Sequence, residues 1–107
     1  MVWVAPDVRR YAVDLVTATR HAPELRLGAS PRATLQLVRA ARAAAALDGR
    51  DYVLPDDVQA LAAPVLAHRL LPTAEARVAR LSPSDVVAGL VARVPVPDRT
   101  RPRPGRV

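Results

Sequence analysis

The chain has 107 residues, a length that suits one domain with a single modest core. That core must be built from leucine, valine and alanine, because the chain has no phenylalanine, one tryptophan and two tyrosines, and abundant alanine favours helices over a sheet. The formal net charge is +6, and its positive part comes from arginines because the chain has no lysine. The lack of cysteine excludes a disulfide framework and a thiolate metal site.

The first predicted helix begins near Pro6 and ends around His21. Proline suits the first position of a helix, and Asp7 places a negative charge in the first turn, where it is favourable. Residues at helical spacing predict one buried face, made of Val8, Tyr11, Ala12, Leu15, Val16 and Thr19. Residues 22–30 are predicted to form a loop.

The second predicted helix has Ser30 as its cap and Pro31 at its first position, and it runs to Leu47. Apolar residues occupy most of its circumference, so we expect it to be covered on most sides. Arg32 falls in its first turn. A cation there is disfavoured by about 0.3–1 kcal/mol, so the position of Arg32 needs a reason outside the helix itself.

The third predicted helix opens with PDD at residues 55–57. Two adjacent aspartates can suggest acid–base catalysis, but a helix start stabilises acidic residues, so we predict a structural role for both. Pro64 is predicted to interrupt or kink this helix. His68 and Arg69 close it. Because no second histidine, cysteine or clustered carboxylate stands at ligand spacing, we predict that His68 caps or packs rather than binding a metal.

A last helix is predicted to start at the capping box SPSD, residues 82–85, after a loop with a short strand at residues 71–81. The predicted fold is therefore all-α, a small bundle of four to five helices with room for one very short strand pair. We expect a helical domain at residues 4–97 and a flexible basic tail at residues 98–107, since alternating proline, arginine and glycine cannot form a packed core.

Half of the positive charge lies in that tail, which carries four arginines and one aspartate. The tail has no interleaved aromatic residues for stacking on single strands, and no recognition helix is apparent. Specific binding of nucleic acid is thus not predicted, although nonspecific, salt-dependent binding of polyanions through the tail is. The chain shows neither a signal peptide nor a membrane span, which together with the lack of cysteine favours the cytoplasm.

Four segments in order resemble the carboxy-terminal lid domain of MoxR-type AAA+ ATPases. They are YAVDLVTATR in the first helix, LGASPRA at the start of the second, and then GRDYVLPDDV and VLAHRL. The resemblance covers roughly residues 4–97. In this family the lid closes over ATP that is bound to a larger α/β domain.

The resemblance implies that Arg32, the arginine of GASPRA, is the sensor-2 residue near the β- and γ-phosphates. The physical chemistry agrees, because a helix amino terminus and a guanidinium fork both suit phosphate. Gly28 and Ala29 would permit a tight, narrow approach, and with Ser30 they complete the predicted nucleotide-contacting set. No catalytic residue and no metal ligand is predicted in this chain.

The resemblance also implies ATP and magnesium as cofactors, an amino-terminal α/β ATPase domain, and neighbouring subunits of a ring oligomer. It further implies chaperone-like remodelling, often with a partner that has a von Willebrand A-type domain. A P-loop requires a lysine, which this chain lacks. We therefore expect the chain to be the lid of a longer ATP hydrolase and to be inactive alone.

A free-standing helical interaction module that binds a protein partner or nucleic acid is the second hypothesis. In that module Arg32 would have no nucleotide role. Gln36 and Arg39 extend the same polar stripe of the second helix and could face another domain, a neighbouring subunit or solvent. A P-loop upstream in the same reading frame would favour the lid, and its absence would favour the module.

Overall fold

Five helices, one 3₁₀ turn and one pair of short strands make up residues 2–97, the part of the chain that the computed structural model describes. In chain order these are α1 (Pro6–His21), β1 (Leu25–Leu27), α2 (Arg32–Leu47), α3 (Pro55–Leu66), the 3₁₀ turn Ala67–Arg69, β2 (Leu71–Pro72), α4 (Ala74–Val78) and α5 (Pro83–Arg93). The predicted helical bundle with a very short strand pair is confirmed. The predicted tail, residues 98–107, lies outside the described residues.

Helix α1 has the predicted bounds and the predicted buried face. Proline stands at its start, Asp7 lies in its first turn, and Arg20 and His21 lie in its last turn, so charges at both ends complement the helix dipole. All six residues of the predicted face are buried, including Tyr11 at 1% exposure. Helix α1 thus supplies one wall of the core.

Helix α2 differs from the prediction at its start and on its outer side. It begins at Arg32, and the bond from the Ala33 N–H is accepted by the Ser30 carbonyl oxygen rather than by a side-chain cap. The expectation that α2 is covered on most sides is wrong, since Leu47 is 90% exposed and Leu35 54% exposed. The helix packs on α1 and α3 from one side, which leaves its opposite side in solvent.

Pro64 does not end α3, which continues to Leu66 before tightening into the 3₁₀ turn. The proline is itself exposed, while Val58, Ala62 and Leu66 of the same helix are buried in the core. Because buried residues on both sides of Pro64 hold α3 against its neighbours, packing compensates for the backbone hydrogen bond that proline cannot make.

The segment at residues 71–81 contains a helix that the sequence pattern did not indicate. Strand β2 pairs with β1 in antiparallel orientation, and α4 follows at once, with the Thr73 side chain accepting a hydrogen bond from the Ala76 N–H at 3.1 Å. The capping box before α5 is confirmed: Ser82 and Asp85 each bond the other's backbone N–H. The β1–β2 pair draws the loop after α1 towards the end of α3.

Among the described residues, no helix combines the length and the apolar character that a membrane crossing would require.

Candidate functional site

The loop between β1 and α2 is held in place by the last turns of α1. Thr19 is 1% exposed, and its hydroxyl donates to the Val16 carbonyl oxygen at 2.6 Å. The same hydroxyl oxygen accepts a hydrogen bond from the Ala29 N–H at 2.9 Å. A buried polar side chain with both bonds made is a firm anchor, so the position of residues 28–31 depends on α1.

Gly28 lies against the α1 backbone, where a side chain does not fit. A Cβ atom at this position would lie 2.5 Å from the carbonyl oxygen of Thr19 and 2.7 Å from the Cα atom of Arg20. Glycine is therefore needed for close approach of two backbone segments. The loop is thereby packed tightly on α1 just before α2 begins.

A cleft of ≈ 560 Å³ opens beside this loop. One side is formed by residues 28–31 and the rest by three arginines, Arg20 at the end of α1, Arg26 in β1 and Arg69 in the 3₁₀ turn. The β1–β2 pairing explains the convergence, because it brings Arg26 towards the segment that follows Arg69. The cleft is therefore lined by four small residues of the loop and by three arginines.

The cleft contains three of the four residues predicted to contact nucleotide. Gly28, Ala29 and Ser30 line it, whereas Arg32 is the exposed first residue of α2, one position past the lining residue Pro31. The predicted role of Arg32 and of these three residues stays a prediction. Helix α2 adds a partial positive charge at the same place, since its amino terminus follows the loop directly.

Sequence reasoning missed the arginines that line the cleft. Arg20 ends the segment VTATR and Arg69 lies in VLAHRL, so both belong to segments that carry the family resemblance. The sequence could not predict that Arg20 and Arg69 line the same cleft. The two residues are far apart in the chain, and Arg69 reaches the cleft only through the packing of α3 and the strand pair. The one signal in the sequence was that Arg20 and Arg69 lie within segments that resemble MoxR-type lids.

Positive charge in the cleft is not neutralised by neighbouring acids. Within residues 2–97, none of the three cleft arginines is paired with a carboxylate, and the lining includes no acidic residue. Glu24 stands two residues before Arg26 but lines a different cleft with Leu81 and Asp85. The arrangement is suited to an anion with several negative charges.

The opposite end of α2 carries a polar cluster that sequence reasoning also missed. Arg50 donates to both carboxylate oxygens of Asp57, at 2.7 and 2.8 Å, and the Leu54 N–H donates to the same carboxylate at 2.8 Å. Burial opposes ionisation of Asp57, but these hydrogen bonds outweigh it and hold the pKa of Asp57 below its usual value. Asp57 thus has the predicted structural role, clamping the segment before α3.

His68 is exposed beside Arg69 in the 3₁₀ turn. Among residues 2–97, no group of three or more His, Cys, Asp or Glu side chains is placed to hold a metal ion.

A protein-family model described as the AAA lid domain matches residues 17–89, which include the anchoring Thr19, the loop, the cleft arginines and the Arg50–Asp57 pair. The chain belongs to the AAA lid domain family. The lid cleft is thus a feature within the part of the chain that the family model covers.

Named relatives place this lid with the MoxR proteins. Protein MoxR of Paracoccus denitrificans is 44% identical over 108 residues, covering 87% of this chain and 32% of the relative. Chaperone MoxR1 of Mycobacterium tuberculosis is 40% identical over 96 residues, covering 81% of this chain and 26% of the relative. The resemblance to MoxR-type lids is confirmed.

The lid fold is also present in a solved structure. A crystal structure named as a putative ATPase from Cytophaga hutchinsonii superposes with a TM-score of 0.83 and 31% identity, covering 91% of this chain and 32% of that one. This lid therefore spans about a third or less of the relatives that it matches.

Proposed function

We propose that this lid, residues 4–97, closes over ATP bound to an α/β ATPase domain, and that Arg32 donates hydrogen bonds to its terminal phosphates. The observation that carries the proposal is the placement of Arg32 at the first position of α2, next to a loop that lines a cleft together with three arginines and no acidic residue. A guanidinium at a helix amino terminus is unfavourable alone and favourable beside an anion.

The loop geometry supports a sensing role for Arg32. Thr19 and Gly28 fix the loop to α1, so a force on Arg32 would be carried to α1 as well as α2. Loss of the γ-phosphate after hydrolysis would remove one contact to Arg32 and favour another angle between the lid and the ATPase domain. Magnesium is assigned to the α/β domain, because this lid brings arginines rather than carboxylates to the cleft.

The partners in the proposal follow from the MoxR relationship. We assign the lid an amino-terminal α/β domain in the same ATPase and neighbouring subunits in a ring, through which its movement would be passed on. One relative is named a chaperone, which supports remodelling of other proteins as the output. A partner with a von Willebrand A-type domain and a cytoplasmic location belong to the same proposal.

The chain by itself is expected to bind ATP at millimolar strength or weaker and not to hydrolyse it. Even millimolar affinity requires about 4 kcal/mol, more than the roughly 1.5–3 kcal/mol of one charge-assisted contact, and solvent screens the contacts that further exposed arginines could add. Isothermal titration calorimetry and a phosphate-release assay on the 107-residue chain measure both properties. Micromolar binding of ATP would contradict this expectation.

The direct test of the proposed function is Arg32→Gln in the complete ATPase. We expect ATP turnover to fall by about tenfold or more, since a contact worth roughly 1.5 kcal/mol or more is lost. Arg10→Gln is the matched control, because Arg10 is exposed on α1 roughly 15 Å along the helix from the cleft residue Arg20, and the substitution removes the same charge. Equal turnover in the two variants would favour the alternative of a helical interaction module.

A further inference from the structure

We infer that Arg20, Arg26 and Arg69 form a polyphosphate-binding site on the lid that is separate from Arg32. The three side chains come from three different elements, α1, β1 and the 3₁₀ turn, and they line one cleft with residues 28–31. Arg32 is outside that lining. Arg32 and the cleft are adjacent, but the role of each can be tested separately.

The charge of the cleft is available to a ligand. Its three arginines are exposed, and within the described part of the chain none of them has a carboxylate partner. The hydrogen bond that fixes the loop is accepted by the buried Thr19 hydroxyl, not by an arginine of the cleft. Binding an anion would therefore not require breaking an ion pair of the lid.

Phosphate chemistry fits this cleft better than a single carboxylate does. Guanidinium groups present paired donors that match phosphate oxygens, and three of them call for a ligand with comparable negative charge. The cleft volume of ≈ 560 Å³ is within the range of small-molecule sites, roughly 300–1,000 Å³. The phosphate chain of a nucleotide and free inorganic polyphosphate share this chemistry.

This inference rests on the proposed function in one respect only, which is the source of the phosphate that the cleft binds. In a closed ATPase the phosphate chain of ATP would supply it, and Arg20, Arg26 and Arg69 would then help to hold the lid closed. In the lid alone, inorganic tripolyphosphate should be sufficient. The cleft can therefore be tested without an ATPase domain.

The test is a titration of the 107-residue protein with tripolyphosphate, ATP and adenosine, followed through the amide NMR signals of Ala29 and Ser30. We expect tripolyphosphate and ATP to shift both signals with millimolar dissociation constants that weaken as sodium chloride is added, and adenosine to shift neither. Tighter binding of ATP than of tripolyphosphate would identify the nucleotide as the source, and equal binding would identify the phosphates alone.

Arg20→Gln and Arg69→Gln are each expected to weaken tripolyphosphate binding about three- to tenfold, as for a charged contact partly screened by solvent. The matched control is Arg10→Gln, because Arg10 is exposed on the same helix as Arg20 and lies roughly 15 Å away along its axis. All three side chains are exposed, so the variants should fold, and an unchanged amide spectrum checks this.

Two results would overturn the inference. One is an absence of shifts at Ala29 and Ser30 in millimolar tripolyphosphate. The other is an equal loss of affinity in Arg10→Gln and Arg20→Gln, which would show that only the overall charge matters. If the cleft variants behave as expected while Arg32→Gln leaves turnover of the ATPase unchanged, the proposed function fails and the cleft stands.

Discussion

Gly28→Ala is expected to destabilise the lid by about 1–3 kcal/mol, the usual effect of forcing a methyl group into a filled space. The new Cβ atom would meet the Thr19 carbonyl oxygen at 2.5 Å, and backbone atoms cannot rotate away as a flexible side chain can. The loop would have to move off α1, which would weaken the bond between the Ala29 N–H and the Thr19 hydroxyl. Thermal unfolding should show a melting temperature lower by at least about 4 °C.

Gly89→Ala is the matched control for this prediction. It adds the same methyl group in α5, where nothing lies within 4 Å of the new atom. Alanine is the better helix former by roughly 0.5–1 kcal/mol, so Gly89→Ala should raise the melting temperature. If both variants melt at the same temperature, the close approach of the loop to α1 is not the constraint that the structure indicates.

Asp57→Asn is expected to lower the free energy of unfolding by about 1.5–3 kcal/mol, the typical value of hydrogen bonds to a charged group. The substitution weakens the two-point contact with Arg50 and the bond from the Leu54 N–H. Asp14→Asn is the control, because Asp14 is exposed on α1 and the substitution removes the same charge. Urea unfolding of both variants measures the difference, and equal midpoints would contradict the role of the Arg50–Asp57 pair.

The same pair predicts a dependence of stability on pH. The hydrogen bonds hold the pKa of Asp57 below its value in the unfolded chain, so its contribution is complete above about pH 4 and is lost as the pH falls towards the folded pKa. The stability difference between the wild type and Asp57→Asn should therefore be constant near neutrality and shrink in acid. A difference that remains undiminished in strong acid would show that the charge of Asp57 is not responsible.

Helices with a clear apolar period or an explicit cap could be predicted from the sequence. The buried face of α1 was predicted correctly because its exposed arginines and aspartate fall on other sides. The start of α5 was predicted correctly because Ser82 and Asp85 stand at capping-box spacing. Both features are local, and local chemistry decides them.

Features that depend on distant packing could not be predicted in the same way. Helix α4 has five residues, too few for a periodic pattern, and α2 is so rich in alanine that its composition does not tell its covered side from its exposed side. The β1–β2 pair joins segments more than forty residues apart. Each depends on which elements meet in space.

The candidate site also has one part that the sequence predicts and another that only the folded chain brings together. Arg32 and residues 28–30 stand together in one segment whose resemblance to MoxR-type lids is visible in the sequence. Arg20, Arg26 and Arg69 share a cleft only after α3 and the strand pair have brought them together. The anchor that holds the loop, Thr19, looked like an ordinary member of the buried face of α1.

The most direct test of the account is the ratio of ATP to ADP affinity in the complete ATPase, measured by calorimetry for the wild type and for Arg32→Gln. If Arg32 contacts the γ-phosphate, the substitution should weaken ATP binding about tenfold or more, the effect of losing one charge-assisted contact, and should weaken ADP binding clearly less, because ADP lacks the γ-phosphate. An unchanged ratio of the two affinities would contradict the assignment of Arg32 as the phosphate sensor of this lid.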